Sequence, residues 1–386
     1  MKRVLCVVAL LCAISFRDAG AQVIGSVSGT ASHGESLLIS GASFGTKTVA
    51  APTLWENFNS SSASNGTYIT NVLTNWIQGG TGGSIPVFDS AERYGDRGFS
   101  ALVIQPDPGP LGELNRNLMC CDPSQWSAGP GDKLYASFKF RFTGSSTWTN
   151  ECPQQYKVGA VGYINDALQF SYPNLPFIYH AQGLQLYSYH APTGMADDYT
   201  NPVYGHFQNT IHSNEWISVE YEITLPSNYL EQDGSVRGWA SAGSVVDSRS
   251  RSGFGSWDTS ESEAYTFDSF WFRNYIPTPA AGCDPTYYLN ADDVYVDTSW
   301  SRVMIGDSAT FASCTRREMQ GITAWSNSSV TVTMNQGLFS AGETVYVFVV
   351  DSDGVASDGF PITIAGTTTS TEITPPSNLR IGEATE

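Results

Sequence analysis

The chain has 386 residues, of which 41% are apolar and only 15% charged, and its formal net charge is −18 at pH 7. That length suits two domains, one of them large. The acidic balance argues against nucleic acid or an anionic membrane as partner, and the wealth of Gly, Ser and Thr favours strands and turns over helices.

Residues 1–21 read as a signal peptide. Lys2 and Arg3 form its positive end, Val4 to Phe16 an apolar run too short to span a bilayer, and Ala19-Gly20-Ala21 an A-x-A cleavage site. Cleavage there removes three positive charges and one negative, leaving −20. The expectation is a secreted protein, extracellular or at the cell surface, attached to surface or matrix without a membrane span. Cys6 and Cys12 leave with the segment, and Cys120, Cys121, Cys152, Cys283 and Cys314 remain. Export makes disulfides the default, and with no repeated C-x-x-C zinc is not expected. The pairs expected are Cys283 with Cys314, and Cys152 with one of the adjacent cysteines, taken as Cys121. One thiol is left over.

Residues 22–55 begin with strand-like segments. In "SLLISGASFGTK" (Ser36 to Lys47), Leu37 and Ile39 alternate with polar neighbours, Ser40-Gly41 ends the strand, and Phe44-Gly45 follows a short turn. Ile39, Gly41, Phe44 and Gly45 fit an I-x-G-x-x-F-G pattern that resembles the opening of an IPT/TIG domain, an immunoglobulin-like sandwich. Such a sandwich needs about seven strands, and only two or three precede Trp55. The rest are found near the far end. In "SSVTVTM" (Ser328 to Met334), Val330, Val332 and Met334 share a face. "ETVYVFVVDSDGVASDGFPITI" supplies a strand, a DSDG turn and a closing strand, as the resemblance implies. Residues 22–55 and 320–365 are therefore expected to form one small split sandwich, since an isolated two-stranded piece is marginal in water. Residues 366–386 read as a Thr/Pro-rich tail.

The insert, residues 56–319, has period-two segments and no helix-period run of useful length. "KLYASFKFRF" puts Leu134, Ala136, Phe138, Phe140 and Phe142 on one face and Tyr135, Ser137, Lys139 and Arg141 on the other. "WISVEYEITL" sets Ile217, Val219, Tyr221, Ile223 and Leu225 against Ser218, Glu220, Glu222 and Thr224. This pattern marks antiparallel sheets with one packed face. The fold class expected is all-β: a large antiparallel jelly-roll sandwich inserted into a small split immunoglobulin-like sandwich. "WISVEYEI", "DGSVRGWAS" (Asp233 to Ser241) and "YYLNADDVYVD" (Tyr287 to Asp297) make the insert resemble the concanavalin-A-like lectin/glucanase superfamily.

The resemblance implies glycan binding, hydrolysis or lyase chemistry. The glucanases' E-x-D-x-E pattern is not met, because Ser218 and Thr224 flank Glu220 and Glu222; that pair reads as a solvated strand face. A lyase needs a group to neutralise a uronate carboxylate, a base, and an acid for the leaving oxygen. Beyond the signal peptide there are four lysines, with Lys133, Lys139 and Lys157 close together, and four histidines fall between 180 and 212. Lys157, His180, Tyr187, Tyr189 and His190 are the candidate catalytic residues. Lys139, Arg141, Gln185, Arg237 and Trp239 are the candidate ligand-binding residues. Asp292, Asp293 and Asp297 group hard oxygen donors that suit calcium; no other cofactor is expected. The bland alternatives are outward charges guarding strand edges and tyrosines that merely cover a sheet. The function expected is binding of a polysaccharide. The alternatives are a lyase that cleaves an anionic glycan by β-elimination and a structural surface protein.

Overall fold

A computed structural model describes residues 22–79, 85–104, 114–120, 126–144, 156–164, 170–180, 183–186, 204–207, 212, 214–229, 231–255, 266–276 and 287–365. The fold is all-β and built from antiparallel sheets; the only helices among the described residues are three single 3-10 turns. Candidate residues Tyr187, Tyr189 and His190, and cysteines Cys121, Cys152 and Cys283, lie outside the described residues, as do the signal peptide and the tail.

The two ends of the chain meet in a small two-sheet sandwich. One sheet runs Val23–Gly29, Ser36–Ala42, Ser329–Thr333, Gly321–Trp325. The other runs Arg317–Met319, Arg302–Gly306, Thr344–Val350, Phe360–Thr363. Ile39 stands opposite Val27 on one side and Val330 on the other. It shares a core with Leu37, Phe44, Val303, Ile305, Val345, Val347 and Val349. The β-branched alternation of Val345, Val347 and Val349 suits a half-buried pleat. Gly41 matters because a Cβ there would meet the Phe44 ring and the Val23 carbonyl; its absence lets Phe44 fold back into the core. Arg302–Gly306 and Arg317–Met319 were expected in the large insert, yet they pair into the small sandwich.

The large sandwich has two sheets. The eight-stranded sheet runs Val245–Phe254, Gly234–Ala242, Trp216–Thr224, Lys133–Gly144, Tyr287–Asp297, Ser100–Ile104, Val87–Asp89, with Leu54–Glu56 also pairing on Tyr287–Asp297. The seven-stranded sheet runs Tyr204–His206, Gly183–Leu186, Phe170–His180, Tyr156–Ile164, Ser269–Ile276, Leu114–Cys120, Ile77–Gly79. Between them lies the main core. Phe138 of the first sheet meets Phe270 and Phe272 of the second at ring-centroid distances of 5.7 and 6.1 Å.

The other face of the eight-stranded sheet is covered by the small sandwich, and this overturns the expectation of a solvated polar face. Tyr135 and Tyr295 pack with Trp300, Met304 and Met319. Around them is a seam of buried charge. Arg302 pairs with Glu222 at 2.9 Å and with Glu220 at 3.6 Å, and its guanidinium lies 4.4 Å from the centre of the Tyr135 ring. Arg317 pairs with Glu220 at 3.5 Å and stacks on Phe311 and Trp239. Lys47 closes on Asp297 at 2.6 Å. At the rim, Lys133 and Arg237 flank the Trp300 ring and bond the Ser352 and Asp353 carbonyls of the DSDG turn. That turn is braced by Asp351 Oδ1, which accepts the N–H groups of Asp353 and Val355. A polar strand face can be dry in this way when each charge finds a partner.

Candidate functional site

The seam uses up most of the residues expected to bind a ligand. Lys139 is only 3% exposed; it donates to Ser218 Oγ and to the Arg317 carbonyl, both at 2.9 Å, and pairs with Glu318 at 3.2 Å. Trp239 is buried beneath Arg317. Arg237 is half exposed but pairs with Glu222 at 2.8 Å. Arg141 pairs with Glu92 at 2.6 Å. Lys139 and Trp239 are thus buried against other parts of this chain, whereas Arg237 and Arg141 keep part of their side chains exposed beside their carboxylate partners.

The three aspartates read as calcium donors each have partners within the chain. Asp297 is held by Lys47 and by the Tyr295 hydroxyl, Asp292 Oδ1 accepts the Asp293 N–H, and Asp293 Oδ2 accepts from Asn335. Among the described residues no cluster of three or more His, Cys, Asp or Glu side chains is arranged to hold a metal. Burial raises the Asp297 carboxyl above its usual range, although Lys47 opposes the shift. The Cys283–Cys314 pairing is overturned, since Cys314 is a free, buried thiol near the Ser308 and Thr310 carbonyls. Burial pushes that thiol up as well. Cys120 is disulfide-bonded.

Lys157, His180 and Gln185 lie on the seven-stranded sheet, away from the seam contacts. Phe270, Phe272, Val161 and Leu184 of that sheet face the main core. Trp271 and Ala160 belong to a separate cluster with Ile77, so alternation along Ser269–Ile276 divides the two faces. Backbone register then draws one line across the sheet: Asn115 pairs with Tyr275, Tyr275 with Lys157, Lys157 with Ile178, and Ile178 with Gln185. Neighbouring strands are about 4.8 Å apart, so this line extends roughly 19 Å, enough for a short run of sugar rings. Two residues along, Arg273 pairs with Asn117. His180 pairs with Gly183 at the end of the ladder between two of these strands.

The register breaks beside Lys157. Between Gly159 and Lys157, the strand Tyr156–Ile164 has one residue, Val158, with no counterpart between Phe177 and Ile178. Pairing with Ser269–Ile276 shifts at the same place. A bulge of this kind re-aims the positions beside it. Lys157 and Gln185 are therefore brought to one register line, with His180 two residues along from Ile178. Asn115, Asn117, Arg273 and Tyr275 were missed from the sequence. The signal for Arg273 and Tyr275 was their period-two spacing after Trp271 in "SFWFRNYI".

No family model matches the chain, and no curated protein matches it. Solved structures similar to it include an endo-β-1,4-glucuronan lyase from the fungus Trichoderma reesei, at 11% identity and TM-score 0.40, covering 64% of this chain and 96% of that one. A PL-14 alginate lyase from Aplysia kurodai is 12% identical with TM-score 0.36, covering 64% and 99%. The carbohydrate recognition domain of Emp46p is 10% identical with TM-score 0.35, covering 64% and 96%. At these values the similarities carry no argument about chemistry.

Proposed function

We propose that the seven-stranded sheet binds an anionic polysaccharide and cleaves it by β-elimination. The observation that supports this most is the line Asn115–Tyr275–Lys157–Ile178–Gln185. It groups amide donors, a phenol and an amine on the sheet opposite the one the small sandwich covers. The residues that suited binding alone, Lys139, Arg237 and Trp239, are committed to the seam. In the reaction, Asn115, next to Tyr275 in the line, donates a hydrogen bond to the carboxylate of the reacting uronate, which stabilises negative charge as the neighbouring C–H is deprotonated, while Gln185 at the far end of the line holds a different sugar of the same polymer. Lys157, as the free amine, takes that proton. The electron pair forms the C4–C5 double bond while the C4–O bond breaks, and Tyr275 protonates the departing oxygen. In this reading the small sandwich is a docking piece, and the protein works outside the cell on matrix or wall polymers.

The test is a panel of uronate polymers read by ultraviolet absorbance, since elimination creates a conjugated double bond. The wild type should give a rise with at least one polymer, and Lys157→Ala and Tyr275→Phe should each lower its rate by about 100-fold or more. No rise with any polymer, combined with retention on a glycan array, would leave a binder without chemistry. A rise that both variants keep would move the site elsewhere.

A further inference from the structure

We propose that Asn65 and Asn327 are sites of asparagine-linked glycosylation, and that the fold keeps a third acceptor sequence, at Asn59, bare. Asn59-Ser60-Ser61, Asn65-Gly66-Thr67 and Asn327-Ser328-Ser329 all carry the Asn-x-Ser/Thr pattern that the transferring enzyme reads. The fold treats the three differently. Asn65 and Asn327 are exposed, whereas Asn59 is half-buried. Asn65 Oδ1 accepts from the Ser90 N–H at 2.9 Å and from the Ser90 hydroxyl at 3.0 Å. Asn327 Oδ1 accepts from the Gly45 N–H at 3.0 Å. Among the described residues no hydrogen bond uses Nδ2 of either side chain. Asn59 also turns its Oδ1 inward, to the Phe99 N–H at 3.1 Å. Its amide, however, fills the space that a Cβ on Gly98 would take, so it is wedged against that stretch of backbone.

The transfer joins Nδ2 to the anomeric carbon of an oligosaccharide carried on a polyprenyl diphosphate. The bond from that carbon to the diphosphate oxygen breaks, the diphosphate departs with the electron pair, and Nδ2 gives up one proton to the enzyme. The amide oxygen is untouched. The contacts of Oδ1 with Ser90 and Gly45 therefore survive, and the sugar leaves from the side of the amide that the fold does not use. Transfer takes place on the emerging chain, so the fold acts afterwards as a selector. A sugar on Asn59 would have to fit against Gly98 and the Phe99 backbone, and molecules that carry it would not close. Both favoured sites also stand at sheet edges. The turn that holds Asn65 bonds to Phe88 through the Gly66 N–H and the Thr67 carbonyl, and Val87–Asp89 is the last strand of the eight-stranded sheet. Asn327 lies in the turn between Ser329–Thr333 and Gly321–Trp325, the last strand of its own sheet. A glycan at each place shields an edge from pairing with another chain. Neither asparagine is on the seven-stranded sheet, so neither glycan competes for the surface assigned to substrate.

Glycosylation here presupposes export, so the chain is secreted from a eukaryotic host in two forms, one with residues 1–21 and one with a host leader in their place. A failure confined to the first form is a failure of the leader and not of the acceptor sites. Peptide N-glycosidase treatment of the folded product in heavy-oxygen water marks each sugar-bearing asparagine as a labelled aspartate, read by peptide mapping. Asn65 and Asn327 should carry the label and Asn59 none. Thr67→Ala and Ser329→Ala spoil two acceptor patterns yet keep both asparagines and their Oδ1 contacts, and each should remove the mass of one glycan. Ser61→Ala should remove none. Absence of label at Asn65 or at Asn327, or label at Asn59 in the folded product, would overturn the assignment.

Discussion

Arg302→Met tests the charged seam most directly. Arg302 is 2% exposed, and its guanidinium is shared by Glu220 and Glu222 and stacked on Tyr135. Methionine fills much of the same volume but leaves two buried carboxylates short of a cation. Arg317 still reaches Glu220 at 3.5 Å and Arg237 still reaches Glu222 at 2.8 Å, so the loss is partial. Removing one partner from a buried pair costs about 3–5 kcal/mol, to which a desolvated cation–π contact adds about 1–2. Residual pairing brings the expectation to roughly 3–4 kcal/mol at pH 7. Urea unfolding of the full chain measures it, with a lowered midpoint at an unchanged slope. Glu220→Gln and Glu222→Gln added to Arg302→Met should recover most of the loss. A cost below about 1 kcal/mol at pH 7, or no recovery in the triple variant, would refute the assignment of the seam as a dry, charge-coupled surface.

Gly354→Ala should cost about 1–3 kcal/mol, because φ is 74° there and a Cβ would run into Arg237 and Glu222. Thermal melts would show it, and a neutral result would mean that the DSDG turn does not rest on the sheet. The Cys314 thiol should resist alkylation in the native protein at pH 8 and react once unfolded, because it is buried and burial disfavours its thiolate. Peptide mapping by mass spectrometry reads this, and rapid native labelling at Cys314 would contradict it.

Much of the architecture was legible in the sequence because strand periodicity is a local property. Leu134 to Phe142 and Ile217 to Leu225 alternate as read and face the main core. The pairing of Ser36–Ala42 with Ser329–Thr333 follows from two halves that each have an apolar face with nothing to cover it. What was hidden is non-local. Alternation marks Glu220, Glu222 and Lys139 as the polar side, but only the arrival of Arg302, Arg317 and Glu318 decides whether that side is wet. Those three come from segments assigned to the insert or its edge, and the strand "RVMIG" is buried throughout, so it has no alternation to show which sheet it joins. At the candidate site Lys157 and Gln185 stood out by residue type and scarcity. Asn115 did not, because "LNRNLMC" lacks a clean period, and the Val158 bulge has no sequence signature.

The closure of the small sandwich has a consequence for how the protein is made. Ile39 and its neighbour Val330 are separated by about 290 residues. At 5–20 residues per second, the ribosome finishes the second strand some 15–60 s after the first. Through that interval Leu37 and Ile39 have no permanent place to go, while the intervening sheets have time to assemble. The opening strands thus act as an early-made part awaiting a late-made one, and a holding chaperone that shields this short stretch would raise the yield of correctly joined molecules.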